Sequence, residues 1–133
     1  MSTAPALLAT APAVVRELHE AVAWAVVVGN GAAGLWALAA DRWGQARHRA
    51  LWWLTAAAEG IVFVQVALGV WLSRGVDNPH LGMHMFYGFV ALFSVAIIYA
   101  YRGQLRPHRY LLYGFGGLFL MGLGIRAMLL NPT

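Results

Sequence analysis

Residues Glu59 to Tyr101, EGIVFVQVALGVWLSRGVDNPHLGMHMFYGFVALFSVAIIYAY, decide how this chain is read. Two apolar runs are joined by a short polar hairpin, Arg74 to Pro79 (RGVDNP), whose Gly, Asp-Asn and Pro are strong turn punctuation. Each run is long enough to cross a bilayer core of about 30 Å at about 1.5 Å per helical residue. The first run carries a carboxylate, Glu59, and an amide, Gln65; the second opens with His80 and His84, one helical turn apart. Polar groups in such helices are costly, and they usually face a bundle interior, a cavity or a cofactor.

The flanks of this hairpin repeat its pattern. Upstream lies a basic segment, Asp41 to Arg49 (DRWGQARHR), preceded by an apolar run from Ala21 to Ala40 that only Asn30 interrupts. Arg16, Glu17, His19 and Glu20 form a charged collar before that run. Residues 1–12 read as an Ala/Pro-rich tail, with Pro12 in the first turn of a helix that starts near Ala13. Downstream, Arg102 to Arg109 (RGQLRPHR) is a second basic segment, and Tyr110 to Leu130 is a Gly-rich run with Arg126 near its end. The expected fold is all-α: an integral membrane four-helix bundle with helices at about 13–40, 50–73, 80–101 and 110–130 and short connections between antiparallel neighbours.

Composition agrees. Of 133 residues, 61% are hydrophobic and 11% charged, more apolar side chain than the interior of a soluble domain of this size can hold. The absence of cysteine excludes disulfides, iron–sulfur clusters and thiolate metal sites. The nine basic residues are all arginine, and the net charge of +4 is spread over the loops of a membrane protein. That charge sets orientation and predicts contact with anionic lipid; no nucleic-acid partner is expected. Arg42, Arg47, Arg49, Arg102, Arg106 and Arg109 lie at one end of the bundle, against Arg16, Arg74 and Arg126 at the other. The positive-inside rule then places both termini and the RGVDNP hairpin on the outer side, in what is expected to be a bacterial cell membrane. Trp24, Trp43, Trp52, Trp53 and Trp71 fall near predicted helix ends, where an aromatic belt belongs.

The histidines can then be placed by depth. His19 and His80 lie about 33 Å above the basic ends of their helices and His84 about 27 Å, at about 1.5 Å per residue. His48 and His108 fall among the loop arginines and read as solvated. Two imidazoles on facing helices are a common way to hold haem iron, so His19 and His84 form a candidate axial pair for haem b. Gly88 and Ala91 below His84, and Ala23 and Val26 below His19, leave room for a slot. The alternative is that these histidines only bond water and headgroups. His80 competes with His84 as ligand, but it follows Pro79 at the helix mouth, where a place near a haem propionate suits it. Arg74 and Arg126 end their helices on the same side; they are candidates for binding propionates or for snorkelling to lipid phosphates. Met83 and Met85 flank His84 and read as packing.

Three features have a plain reading. Glu59 is expected to be a protonated carboxyl hydrogen-bonded between helices, with Asn30 or Thr55 as partners, or else half of a proton path. Gln65 reads as a bridge between helices. Gly29-Asn-Gly31-Ala-Ala-Gly34 matches G-x-G-x-x-G, but a dinucleotide site needs a strand before it and none is present. It reads as small-residue helix packing, as do Gly114, Gly116, Gly117, Gly122 and Gly124.

Taken in order, the features of residues 16–129 resemble one half of heme A synthase, a fusion of two four-helix bundles. The resemblance rests on Glu17 and His19, the Arg42–Arg49 basic loop, Gln65-Val-Ala-Leu68-Gly69, and then His80 and His84. It implies a haem-b-binding fold with His19 and a histidine near the start of the third helix as ligands. It also implies a catalytic carboxylate at Glu17. That residue is two positions before His19, whereas the family usually spaces its carboxylate by three. A single bundle also departs from the two that the enzyme uses, one for haem b and one for its substrate haem, so a homodimer is one way to restore the pair. Three functions are therefore carried forward. They are a haem-b protein of electron transfer, alone or as the haem subunit of a membrane complex; a cofactor-free accessory subunit of a respiratory or transport complex; and an oxidoreductase acting on haem.

Overall fold

In hydrocarbon every backbone polar group needs an internal partner, and a helix supplies one within a single segment. The computed structural model describes residues 4–75 and 77–130. Helix α1 spans Ala4–Arg42, α2 Arg49–Leu72, α3 Leu81–Tyr101 and α4 Arg109–Leu129. All four are long and apolar enough to cross a membrane. The boundaries of α2, α3 and α4 lie within a residue of those expected from hydropathy. Between α2 and α3 the chain turns through Gly75, whose φ of 75° is in the left-handed region that glycine enters without a Cβ clash.

The first helix departs from expectation. It begins at Ala4 rather than near Ala13, so residues 4–12 are helical and not a tail, and Pro12 lies inside the helix. Residues 1–3 of the expected tail lie outside the described residues. The physical reason is local. Alanine and leucine, the strongest helix formers, dominate residues 4–11. Pro5, in the first turn, takes the place where a missing N–H costs nothing, while Pro12 removes a single bond from a ladder that continues on both sides.

Each helix packs against its neighbours in sequence, and α1 also packs along α4, closing a ring in which α1 faces α3 diagonally and α2 faces α4. The α1–α4 seam is the most extensive, and the α2–α3 seam is the loosest. The closeness of α1 and α4 comes from glycine. A Cβ on Gly34 would lie 2.8 Å from the Gly114 carbonyl oxygen and 2.9 Å from the Leu118 nitrogen, so the backbones touch there. The G-x-G-x-x-G segment therefore acts as helix packing. Its first glycine, Gly29, faces Ala58 of α2 instead. Val26, Val62, Ala91, Val95, Ile98, Leu120 and Leu123 form the main core, with contributions from all four helices. Phe93, Phe115, Phe119 and Trp53 point outward and are largely exposed, the arrangement of helices that are apolar all round.

Asn30 is 1% exposed and ties α1 to α2, its Nδ2 donating to the Val26 oxygen at 2.9 Å and the Ala58 oxygen at 3.1 Å. The Thr55 hydroxyl donates to the Leu51 oxygen at 2.8 Å. Neither therefore partners Glu59, as one sequence expectation had it. The basic end is knotted by the Trp36 Nε1–H, which donates to the Ala46 oxygen at 2.7 Å, and by the Arg47 Nε–H, which donates to the Ala40 oxygen at 2.8 Å. His48 is exposed, and its Nδ1 caps α2 by accepting from the Ala50 N–H at 3.0 Å.

Candidate functional site

His19 lies on α1 and His84 on α3, helices that face each other across the bundle. Their ring centroids are 5.9 Å apart, with the planes at 70°. Leu18 and Glu20, the neighbours of His19, are exposed, yet His19 itself is buried because its face of the helix turns toward α2.

Two residues of α2 seat the His19 ring. Gln65 Nε2 lies 3.5 Å from His19 Nε2, at the limit of a hydrogen bond. One turn further on, Gly69 leaves the space in which the ring lies; a Cβ there would come within 3.2 Å of His19 Cε1. Gln65 and Gly69 are the two ends of the Gln-x-x-Leu-Gly stretch. His84 is held from α4. Its Nδ1 lies 2.7 Å from the Ala127 carbonyl oxygen. Ala127 is in the last turn of α4, and its carbonyl oxygen, which also accepts from the Leu130 N–H at 3.2 Å, has a second lone pair for the imidazole. A carbonyl only accepts, so Nδ1 carries the proton, and the neutral ring keeps its lone pair on Nε2. An N–H fixed on a backbone carbonyl is the usual outer support of a metal-binding imidazole.

Around the pair is a cavity of about 250 Å³ lined from all four helices. Small residues, Ala23, Gly88, Ala91, Gly124 and Ala127, make much of its wall. A second crevice of about 60 Å³ opens beside the pair, between α2 and α3. His19, Gln65, Gly88 and His84 border both spaces, so the histidine pair stands between them. Two buried polar atoms have no hydrogen-bond partner among the described residues, His19 Nδ1 and Gln65 Oε1, and both belong to this site. Orphaned buried polar atoms are rare in a folded protein and call for a partner.

The donor set suits a metal-centred group. Ring centroids 5.9 Å apart are close enough for one metal at about 2 Å per bond to reach both imidazoles. The space is tighter. About 250 Å³ falls just below the range of roughly 300–1,000 Å³ for preformed ligand pockets.

The other residues singled out in the sequence take different places. His80 is exposed at the start of α3, where its backbone N–H donates to Asn78 Oδ1 at 2.9 Å; it does not line the cavity. Gly88 lines the cavity, and a Cβ on it would only touch Val66 at 3.7 Å. Arg74 is exposed in the turn after α2, beyond the cavity. Arg126 is exposed too, and its guanidinium lies 5.9 Å from the Tyr87 ring, whose residue is part of the wall. Glu17 is exposed and away from the cavity, while Glu20 lines it. Two helical positions turn a side chain by about 200°, so Glu17 and His19 face nearly opposite ways. Met85 borders the smaller crevice and Met128 the larger cavity, whereas Met83 is exposed. Sequence reasoning did not assign Glu20, Tyr87 or Met128 to the site. The Gln65–Gly69 stretch was a usable signal for the seat of His19, though Gln65 was read only as a helix bridge.

No protein-family model matches this chain, and no curated protein and no solved structure is significantly similar to it.

Proposed function

We propose that this is a haem-b-binding integral membrane protein of electron transfer, with His19 and His84 as the iron ligands. The observation that carries the reading is the approach of the two rings to 5.9 Å with the His84 Nδ1 proton held on Ala127. Bound haem supplies a one-electron iron couple. The chain supplies everything else. Ala127 fixes the tautomer and the angle of His84, Gln65 and Gly69 set the ring of His19, and the apolar wall of Val26, Val62 and Leu123 excludes water. Arg126, one ring away from the cavity through Tyr87, is the nearer of the two proposed propionate partners; Arg74 lies farther out, past the end of α2. The exposed position of Glu17 favours a haem carrier over an enzyme that oxidises haem. The deciding experiment is a reduced-minus-oxidised spectrum of the purified, haem-supplemented protein. A low-spin b-type signal is expected. If none forms, the tight cavity favours the second reading, a cofactor-free accessory subunit of a membrane complex.

Gly69 provides a graded test of the seat. In Gly69→Ala the new methyl is fixed to the backbone, so the His19 ring must give by a few tenths of an ångström. Haem affinity is expected to fall about tenfold, the low end for losing an orienting contact. Gly60→Ala, whose Cβ meets nothing within 4 Å, is the control. Equal haem titrations for the two variants would mean that Gly69 does not set the ligand.

The proposed orientation keeps Arg42, Arg47, Arg49, Arg102, Arg106 and Arg109 in the cytoplasm and the histidine pair toward the outside. The chain has no native cysteine, so single cysteines report cleanly. Gly75 is a poor site because of its positive φ; the exposed Asp77 is better. Asp77→Cys should react with an impermeant thiol reagent in intact cells, and Gln104→Cys should not. The reverse pattern would move the histidine pair to the cytoplasmic side.

A further inference from the structure

The basic end of the bundle holds a second site. A cavity of about 450 Å³ lies there, lined by Trp52 of α2, by Ala100, Arg102, Gly103 and Arg106 around the end of α3, and by Arg109 and Tyr113 of α4. Three arginines line it and no carboxylate does. The turn after α3 and the short helical segment before α4 bring all three to the same cavity.

Two of the three are braced. Arg102 donates from Nη1 to the Tyr99 carbonyl oxygen at 2.7 Å and lies 3.6 Å over the Tyr99 ring. Arg109 lies 5.0 Å from the Tyr110 ring centroid and 5.7 Å from that of Trp52, and its Nη2 donates to the Tyr110 hydroxyl at 3.3 Å. Trp52 is itself fixed against Tyr113, ring centroids 5.2 Å apart. The Arg106 guanidinium has no hydrogen bond or ring contact among the described residues and remains available to a ligand. Orientation preference explains why arginines occur in these loops; it does not require them to surround one cavity on aromatic supports. Guanidiniums held in advance lose less freedom on binding, and their planar forks match the oxygens of a phosphate. The site lies where the apolar spans end, at the level of lipid headgroups.

We propose that this cavity binds the phosphate of an anionic phospholipid, with Arg102, Arg106 and Arg109 as its ligands and Trp52 and Tyr113 as its wall. The test is lipid retention by the intact purified protein, read by native mass spectrometry after incubation with phosphatidylglycerol or phosphatidylcholine. The native chain should retain phosphatidylglycerol at least about tenfold better, as expected for bidentate charged hydrogen bonds. The triple variant Arg102→Lys/Arg106→Lys/Arg109→Lys keeps the loop charge, and with it orientation and insertion, but loses the forks. Its preference should drop several-fold, while Arg42→Lys/Arg49→Lys, at the same end but outside the cavity, should leave it unchanged. Equal loss in the two variants, or no loss in the triple, would overturn the proposal, since general charge attraction would then suffice. A further arm adds millimolar inorganic phosphate. Continued lipid retention supports a lipid site; full displacement by phosphate would show that the cavity takes a free anion, and the lipid assignment would fall.

Discussion

His84→Ala, supplemented with haem, is expected to give no low-spin b-type difference spectrum, while His80→Ala gives one like the native protein. The contrast follows from geometry. His84 faces His19 across the bundle and is held by Ala127, whereas His80 is exposed at the mouth of α3. If His84 is the proposed iron ligand, removing it should weaken haem retention by more than the roughly 10–100-fold seen when only an outer support is lost. The vacated space adjoins the existing cavity, so added imidazole should restore part of the signal to His84→Ala. Helix content by circular dichroism should be unchanged, which separates loss of a ligand from loss of the fold. An intact spectrum in His84→Ala that disappears in His80→Ala would move the ligand one turn outward and refute the assignment.

The second large effect is structural. Gly117→Val is expected to open the seam between α1 and α4. A Cβ at residue 117 would lie 2.7 Å from the Asn30 carbonyl oxygen and 2.9 Å from Gly34 Cα. Both are backbone atoms, so no side chain can move aside and the helices must separate. The cost should reach or exceed the about 1–3 kcal/mol of ordinary overpacking. Asn30 lies within the same seam, and its buried bond across to the Ala58 carbonyl of α2 would be disturbed as α1 shifts. The measurement is thermal unfolding in a mild detergent, with Gly122→Ala as control because its Cβ meets nothing within 4 Å. Equal midpoints for the two would show that the close approach does not matter to stability.

The helices were legible because hydropathy over a bilayer-length window is a strong signal, and the ends of α2, α3 and α4 are marked by arginine clusters and by the RGVDNP turn. The start of α1 was not, because one proline was read as a boundary while the alanine and leucine content around it sustains a helix. In the site, depth along each helix matched His19 best with His80, and His84 was preferred because it lies one turn inside the helix mouth. Depth alone gives no angle. Glu17 and Glu20 differ by one residue in their distance from His19, and only the helical turn decides that Glu20 reaches the cavity. Gln65 and Gly69 were visible as a stretch, but that both touch one ring depends on how α2 packs beside α1, which no single-helix pattern contains.

The extensive seam between α1 and α4 also has a meaning in time. Ribosomes deliver α1 long before α4, and the partner that covers Gly31 and Gly34 of α1 is the last of the four to arrive. Until then the nascent chain holds three helices with one flank bare, and the carbonyl of Ala127 that will orient His84 has not yet been made. The orientation of His84 is therefore set only as α4 is completed. A chain stalled before α4 can still seat His19 on Gln65 and Gly69 of α2, but it has nothing to fix the ring of His84.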